Sequence, residues 1–122
     1  MSIPLRIVVA DDNVDTAHSL SLLLEALGHE ARIAHNGIQA LGIAHEFQPD
    51  AMIIDIGMPG LDGHDLARRV RAEEWGKNLL LIAASGWGQD EDKQASLEAG
   101  FNMHLVKPVE LKTLEGLLAT IK

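Results

Sequence analysis

Ala51-Met52-Ile53-Ile54 runs without a polar side chain into a single carboxylate, Asp55, and turn residues Gly57, Pro59 and Gly60 follow at once. A short apolar run bounded in this way reads as a strand buried on both faces. Strands of that kind belong to parallel sheets covered by helices on either side. Asp55 then stands at the strand's carboxyl end, where open α/β sheets hold their chemistry. Taken alone, Asp55 is equally a solvated turn residue.

The same unit recurs along the chain. Leu5–Ala10 is an apolar run ending at Asp11-Asp12, and Asn13 reads as the N-cap of a helix from about Val14 to Leu27. Ala17, Leu20, Leu24 and Leu27 share one face of that helix, and Gly28 supplies its stop. Asp15, His18, Leu22 and Glu25 fall on the opposite face. Leu22 is thus predicted to face water, either as an ordinary exposed leucine or as part of a partner-docking face. Glu30–Ala34 alternates like a shorter, half-exposed strand, and Asn36-Gly37 reads as a turn. Ile38, Leu41, Ala44 and Phe47 mark a second helix, which Gly42 weakens by about 1 kcal/mol relative to alanine.

After the Asp55 strand, residues 60–63 read as a loop and a third helix extends to about Glu74. Its Leu66, Ala67 and Val70 are predicted to face inward, with Arg68, Arg69 and Arg71 as its solvated face. Leu79–Ala84 is the most apolar stretch and reads as a central strand delivering Ser85-Gly86-Trp87-Gly88. Asp90-Glu91-Asp92 opens a fourth helix, its acids complementing the helix dipole, and the helix stops near Gly100. Asn102–Val106 is a fifth strand ending at Lys107-Pro108, and Leu111, Leu114, Leu118 and Ile121 form the stripe of a final helix. Five strand–helix units imply an α/β fold, a single doubly wound parallel sheet with helices on both faces.

Composition narrows the function. The 122 residues make one domain, residues 1–122, large enough for a core. A net charge of −8 argues against direct nucleic-acid binding and against docking on anionic lipid. Without cysteine there is no disulfide, thiolate metal site or thiol nucleophile. No secretory signal or membrane-spanning run is evident, so a soluble, cytoplasmic protein is expected.

In a parallel sheet all carboxyl ends share one edge. Asp11, Asp12, Asp55, Ser85 and Lys107 would therefore meet on one rim. Two carboxylates about 5 Å apart repel by roughly 3 kcal/mol at an effective dielectric of 20. One lysine cannot neutralise three acids, whereas a divalent cation can. With oxygen donors only, Mg²⁺ is the natural choice, and no histidine ends the acidic strands to favour zinc. A nucleophilic carboxylate, a hydroxyl, an ammonium and Mg²⁺ together suit a phosphoryl group, which the carboxylate can accept as an aspartyl phosphate. Each residue also has a plain structural role open to it, as a cap, a turn residue or a surface charge.

At this point the chain resembles the receiver domain of two-component response regulators. The likeness spans Leu5 to Lys122 and rests on Asp11-Asp12, Asp55 with Met58-Pro59, Ser85, and Lys107-Pro108 in that order. It implies a flavodoxin-like strand order 2-1-3-4-5. It implies that Asp55 accepts a phosphoryl group from a phosphohistidine on a histidine kinase or histidine phosphotransfer protein. Asp12, Asp55 and the Gly57 carbonyl would hold Mg²⁺, with Asp11 acting mainly through water and Mn²⁺ able to substitute. Lys107 would pair with Asp55 at rest and with the phosphoryl group afterwards, and the Lys107–Pro108 peptide is expected to be cis. Ser85 and His104 would be the switch residues, biasing the surface of helix four, strand five and helix five. Asp15, His18 and Leu22 would be the partner-binding face.

Three positions depart from the family's usual pattern. His104 stands where many receivers carry Tyr or Phe; it is either a smaller, more polar, pH-responsive rotor or a strand histidine with a satisfied hydrogen bond and no switching role. Gly57 and Trp87 flank the acceptor and are expected to tune water access to it. Two other functions stay open: a Mg²⁺-dependent phosphatase acting through an aspartyl phosphate, disfavoured because Gly57 supplies no acid two residues after Asp55, and a degenerate receiver that only binds partners. The chain is expected to act as a single-domain regulator or relay, or as the receiver of a hybrid kinase.

Overall fold

A computed structural model describes residues 4–58, 62–86, 90–107 and 109–121, the side chains of 90–92 excepted. Five parallel strands lie in the order β2-β1-β3-β4-β5. They are β1 (Arg6–Ala10), β2 (Glu30–Ala34), β3 (Ala51–Asp55), β4 (Leu80–Ser85) and β5 (Met103–Val106). Helices α1 (Val14–Ala26), α2 (Gly37–Phe47), α3 (Gly63–Ala72), α4 (Asp90–Ala99) and α5 (Leu111–Leu118) follow the strands in turn. The expected doubly wound sheet and its strand order are both present.

The pleat divides the core in two. Val8, Met52, Ile54, Leu81 and Ala83 pack with Ala40, Ala44, Leu66 and Val70 of α2 and α3. The alternate residues Ile7, Val9, Ile53, Ile82 and Ala84 pack with Ala17, Leu20, Leu24, Leu114 and Leu118 of α1 and α5. Side chains such as Ile53, Ile54 and Ile82 are almost wholly buried, each contributing roughly 1.5–3 kcal/mol through removal from water. Strand β2 lies at an edge and keeps the half-exposed alternation read from its sequence.

Several local expectations are corrected. Asn36 does not make a free turn but caps α2, accepting from the Gln39 N–H at 2.8 Å. The helix therefore starts at Gly37, and its buried stripe is Gly37, Ala40, Ala44 and Phe47. Ile38 points outward, 73% exposed, because the small Ala40 and Ala44 face the sheet instead. Helix α3 ends at Ala72, and Glu74–Gly76 form a separate 3₁₀ turn. Leu111, at the start of α5, is also exposed rather than part of the buried stripe.

Arg71 is the largest correction, for it is half-buried and not solvated. Its Nε donates to the Gly100 carbonyl at 3.0 Å, and Nη1 is shared among the carbonyls of Gly76, Lys77 and Leu79. Its Nη2 donates to Asn102 Oδ1 at 2.8 Å, an oxygen that also accepts from the Leu81 N–H. The guanidinium thus ties the end of α3 to the starts of β4 and β5. Gly100, at φ +114, brings the end of α4 against it in a conformation that side chains disfavour. Burial lowers the Arg71 pKa from its ordinary value.

Candidate functional site

Register assembles the site. Ala10 pairs with Ile54, so the next residues, Asp11 and Asp55, emerge side by side. Asp55 pairs with Ala84, and Ser85 with Val106, so Ser85 and Lys107 follow on the same edge. One oxygen from each of Asp11, Asp12 and Asp55 lies within 4.8 Å of the others. Asp11 is buried, Asp12 exposed and Asp55 between them.

Lys107 joins two of the three. Its Nζ is 2.8 Å from Asp11 Oδ2 and 3.2 Å from Asp55 Oδ2. Burial alone would lower the lysine pKa, but its hydrogen bonds to Asp11 and Asp55 and the field of those carboxylates outweigh it, leaving the pKa raised. The remaining oxygens are held by backbone: Asp11 Oδ1 accepts from the Asn13 N–H at 2.9 Å, and Asp55 Oδ1 from the Gly57 N–H at 3.0 Å. Asn13 in turn caps α1, its side chain accepting from the Thr16 N–H at 3.0 Å. A Cβ at position 57 would sit 3.5 Å from Asp55 Oδ1, in ordinary contact. Three hard oxygen donors facing one cation leave the rim short of positive charge, which suits a divalent oxygen-seeking ion.

Ser85 is buried, and its Oγ lies 2.7 Å from His104 Nε2, so the two expected switch residues touch. Both ring nitrogens of His104 on β5 are partnered, the second by Ser96 Oγ at 3.0 Å. Ser96 was not legible as a site residue. Neither was His35, just beyond β2, whose Nδ1 lies 3.2 Å from the Asp11 carbonyl. Only the packing of separate elements brings them there. Trp87, Pro59 and the Lys107–Pro108 peptide lie outside the described residues.

A cleft of about 500 Å³ opens beside Asp11, Asp55 and Lys107, walled by Asp15, Ser19, Leu20 and Leu23 of α1. Asp15 lines it as well as belonging to the expected partner face, whereas His18 and Leu22 are exposed outside its lining. Among the described residues no helix is long and apolar enough to cross a membrane.

Comparisons with known proteins agree with this geometry. The family model described as response regulator receiver domain matches residues 7–119. An uncharacterised 14.6 kDa protein of Leptolyngbya boryana is 38% identical over 104 residues, covering 85% of this chain and 79% of that protein. Response regulator MprA of Mycobacterium avium is 33% identical over 110 residues, covering 90% of this chain and 47% of MprA. The chain therefore spans about half the length of that relative. The solved receiver domain of sensor histidine kinase PA1611 from Pseudomonas aeruginosa PAO1, with a magnesium ion coordinated in its active-site cleft, is 29% identical with a TM-score of 0.88 and coverage of 98% of both chains.

Proposed function

Because this chain belongs to the response regulator receiver domain family, we propose that it receives a phosphoryl group on Asp55 from the phosphohistidine of a histidine kinase or phosphotransfer protein. The observation that carries the reading is the shared lysine: Lys107 spans Asp11 and Asp55 while Asp12 closes the same acidic cluster.

One carboxylate oxygen of Asp55 attacks phosphorus as the phosphorus–nitrogen bond to the donor imidazole breaks, so the receiver supplies the nucleophile. The Gly57 N–H and Lys107 hold the Asp55 carboxylate in place before transfer. Lys107 then stabilises charge on a phosphoryl oxygen, and Ser85 donates a hydrogen bond to another. Asp11, Asp12, Asp55 and the Gly57 carbonyl would hold Mg²⁺, or Mn²⁺ in its place, which when bound offsets negative charge on the phosphoryl oxygens. Ser85 and His104 would pass the change to the α4-β5-α5 surface. The α1 face with Asp15, His18 and Leu22 would seat the phosphodonor protein beside the cleft.

Labelling with acetyl phosphate and Mg²⁺ tests the reading. One acid-labile phosphate per chain is expected, with complete loss in Asp55→Asn. Many turnovers on an external ester would instead make it a phosphatase, and no label at all would leave a binding module. Leu22→Glu should slow transfer from the protein donor while sparing acetyl phosphate; equal slowing of both would remove the docking role.

A further inference from the structure

Beyond Ser85 and His104 the hydrogen bonding continues. His104 Nδ1 lies 3.0 Å from Ser96 Oγ on α4, and Ser96 Oγ lies 3.1 Å from His64 Nε2 on α3. With the 2.7 Å contact of Ser85 Oγ to His104 Nε2, four side chains from β4, β5, α4 and α3 form one line. Ser96 is wholly buried at its centre. His64 is half-buried and edge-on to the Phe101 ring.

A neutral imidazole has one N–H donor and one acceptor, and a serine hydroxyl has a single proton to give. Two orders satisfy all three contacts. In the first, Ser85 donates to His104 Nε2, His104 Nδ1–H donates to Ser96, and Ser96 donates to His64 Nε2. Both histidines then carry their proton on Nδ1. In the second every arrow is reversed: His64 Nε2–H donates to Ser96, Ser96 to His104 Nδ1, and His104 Nε2–H to Ser85. Both histidines then carry their proton on Nε2. Mixed orders fail at Ser96. Either two N–H groups point at it and its own buried proton has no acceptor, or two lone pairs face it and one goes unserved. An unmatched buried polar group costs about 1–3 kcal/mol, so the line favours one order or the other throughout.

We propose that Ser96 and His64 are positioning residues for Ser85, and that arrival of a phosphoryl group on Asp55 reverses this line from the first order to the second. This rests on the phosphoacceptor reading above. A phosphoryl oxygen is an acceptor and needs the Ser85 proton. In the first order that proton is directed to His104; in the second Ser85 accepts from His104 instead, and its proton can turn to the phosphoryl oxygen. Each of the four groups holds one proton in both orders, so the net count is unchanged: each proton moves one place along the line toward His64, His64 Nδ1 loses its proton to water, and water supplies one to Ser85 Oγ. Its far end is His64 Nδ1, a donor before and an acceptor after, on the first turn of α3. The charge placed at Asp55 is thus read out as a change of hydrogen-bonding character two helices away.

The full chain with Mg²⁺ and the phosphoryl mimic beryllofluoride tests this. Fluorine NMR establishes that the mimic is bound, and NMR of the imidazole nitrogens reads the tautomers. On binding, His104 and His64 should both lose the Nδ1–H form and gain the Nε2–H form. In Ser96→Ala, His104 should still respond and His64 should not. In Ser85→Ala, where weaker binding of the mimic is expected, neither should respond once fluorine NMR shows the site filled at higher mimic concentration, and this arm stands even if Ser96→Ala does not fold. Unchanged tautomers in the occupied wild type, or a His64 response that survives either substitution, would overturn the proposal. Failure of the mimic to bind would instead defeat the phosphoacceptor reading, and this inference with it.

Discussion

Lys107 and Arg71 are half-buried cations at opposite ends of one sheet, and their surroundings are opposite in kind. Arg71, at the amino ends of β4 and β5, meets four carbonyls and one side-chain amide oxygen, all neutral. Its planar fork of donors matches several acceptors at fixed angles, so it gathers backbone ends that no helix or strand partner serves. Lys107, at the carboxyl ends, meets two carboxylates and stands close to a third. Its compact ammonium can shift from one oxygen to another without losing direction. One rim is satisfied by the chain itself; among the described residues the other gathers three carboxylates about one lysine, a surplus of negative charge that suits a divalent cation. The first arrangement ties backbone ends together; the second is the one on which the proposed phosphoryl transfer rests.

That contrast can be broken most severely at Arg71. Arg71→Met keeps the stem but leaves its acceptors unserved, and should remove about 3 kcal/mol or more of folding stability. Urea unfolding would read the loss, while acetyl phosphate labelling of the folded protein stays intact. A loss below about 1 kcal/mol would mean water serves those carbonyls as well as the guanidinium does.

A somewhat smaller effect is expected from Mg²⁺. At a hundredfold excess over its dissociation constant the ion should stabilise the wild type by about 2.7 kcal/mol. Asp55→Asn should lose most of that gain, whereas Arg71→Met should retain it in full. Thermal unfolding with and without Mg²⁺ measures both. Equal gains in wild type and Asp55→Asn would detach Asp55 from the metal.

The smallest effect lies at alkaline pH. The Lys107 pKa is raised in the folded chain, its ion pairs outweighing burial. Its contribution is therefore complete below the ordinary lysine value of about 10.4 and fades as pH rises through the raised one. Wild-type stability should lose this component only in that alkaline window, and Lys107→Met should lack it. A Lys107-dependent loss near neutrality would contradict the assigned direction.

The carboxyl rim was largely legible in the sequence because each of its residues directly follows an apolar run. Once β1, β3, β4 and β5 are parallel, Asp11, Asp55, Ser85 and Lys107 share an edge without further information. The amino rim was not legible, because Arg71 lies among other arginines on a helix whose local pattern makes them all look solvated. Its acceptors come from two separate stretches, 76–79 and 100–102, and no spacing announces them. Ser96 and His64 stayed hidden for the same reason: a serine in α4 meets a histidine of α3 only through packing. Ile38 misled because its apolarity fits a helical stripe, while the smaller Ala40 and Ala44 are what permit close approach to the sheet.

The two-residue alternation of the strands carries one more consequence. Asp55 shares its parity with Ile53 and opens toward the cleft beside α1. Ser85 shares its parity with Ala83 and reaches His104, whose other nitrogen meets α4. The sheet thus acts as a partition wall with a doorway along the top. Among the described residues, Ser85 and His104 cross that lintel from one flank to the other, and a one-residue slip of β4 would brick it up.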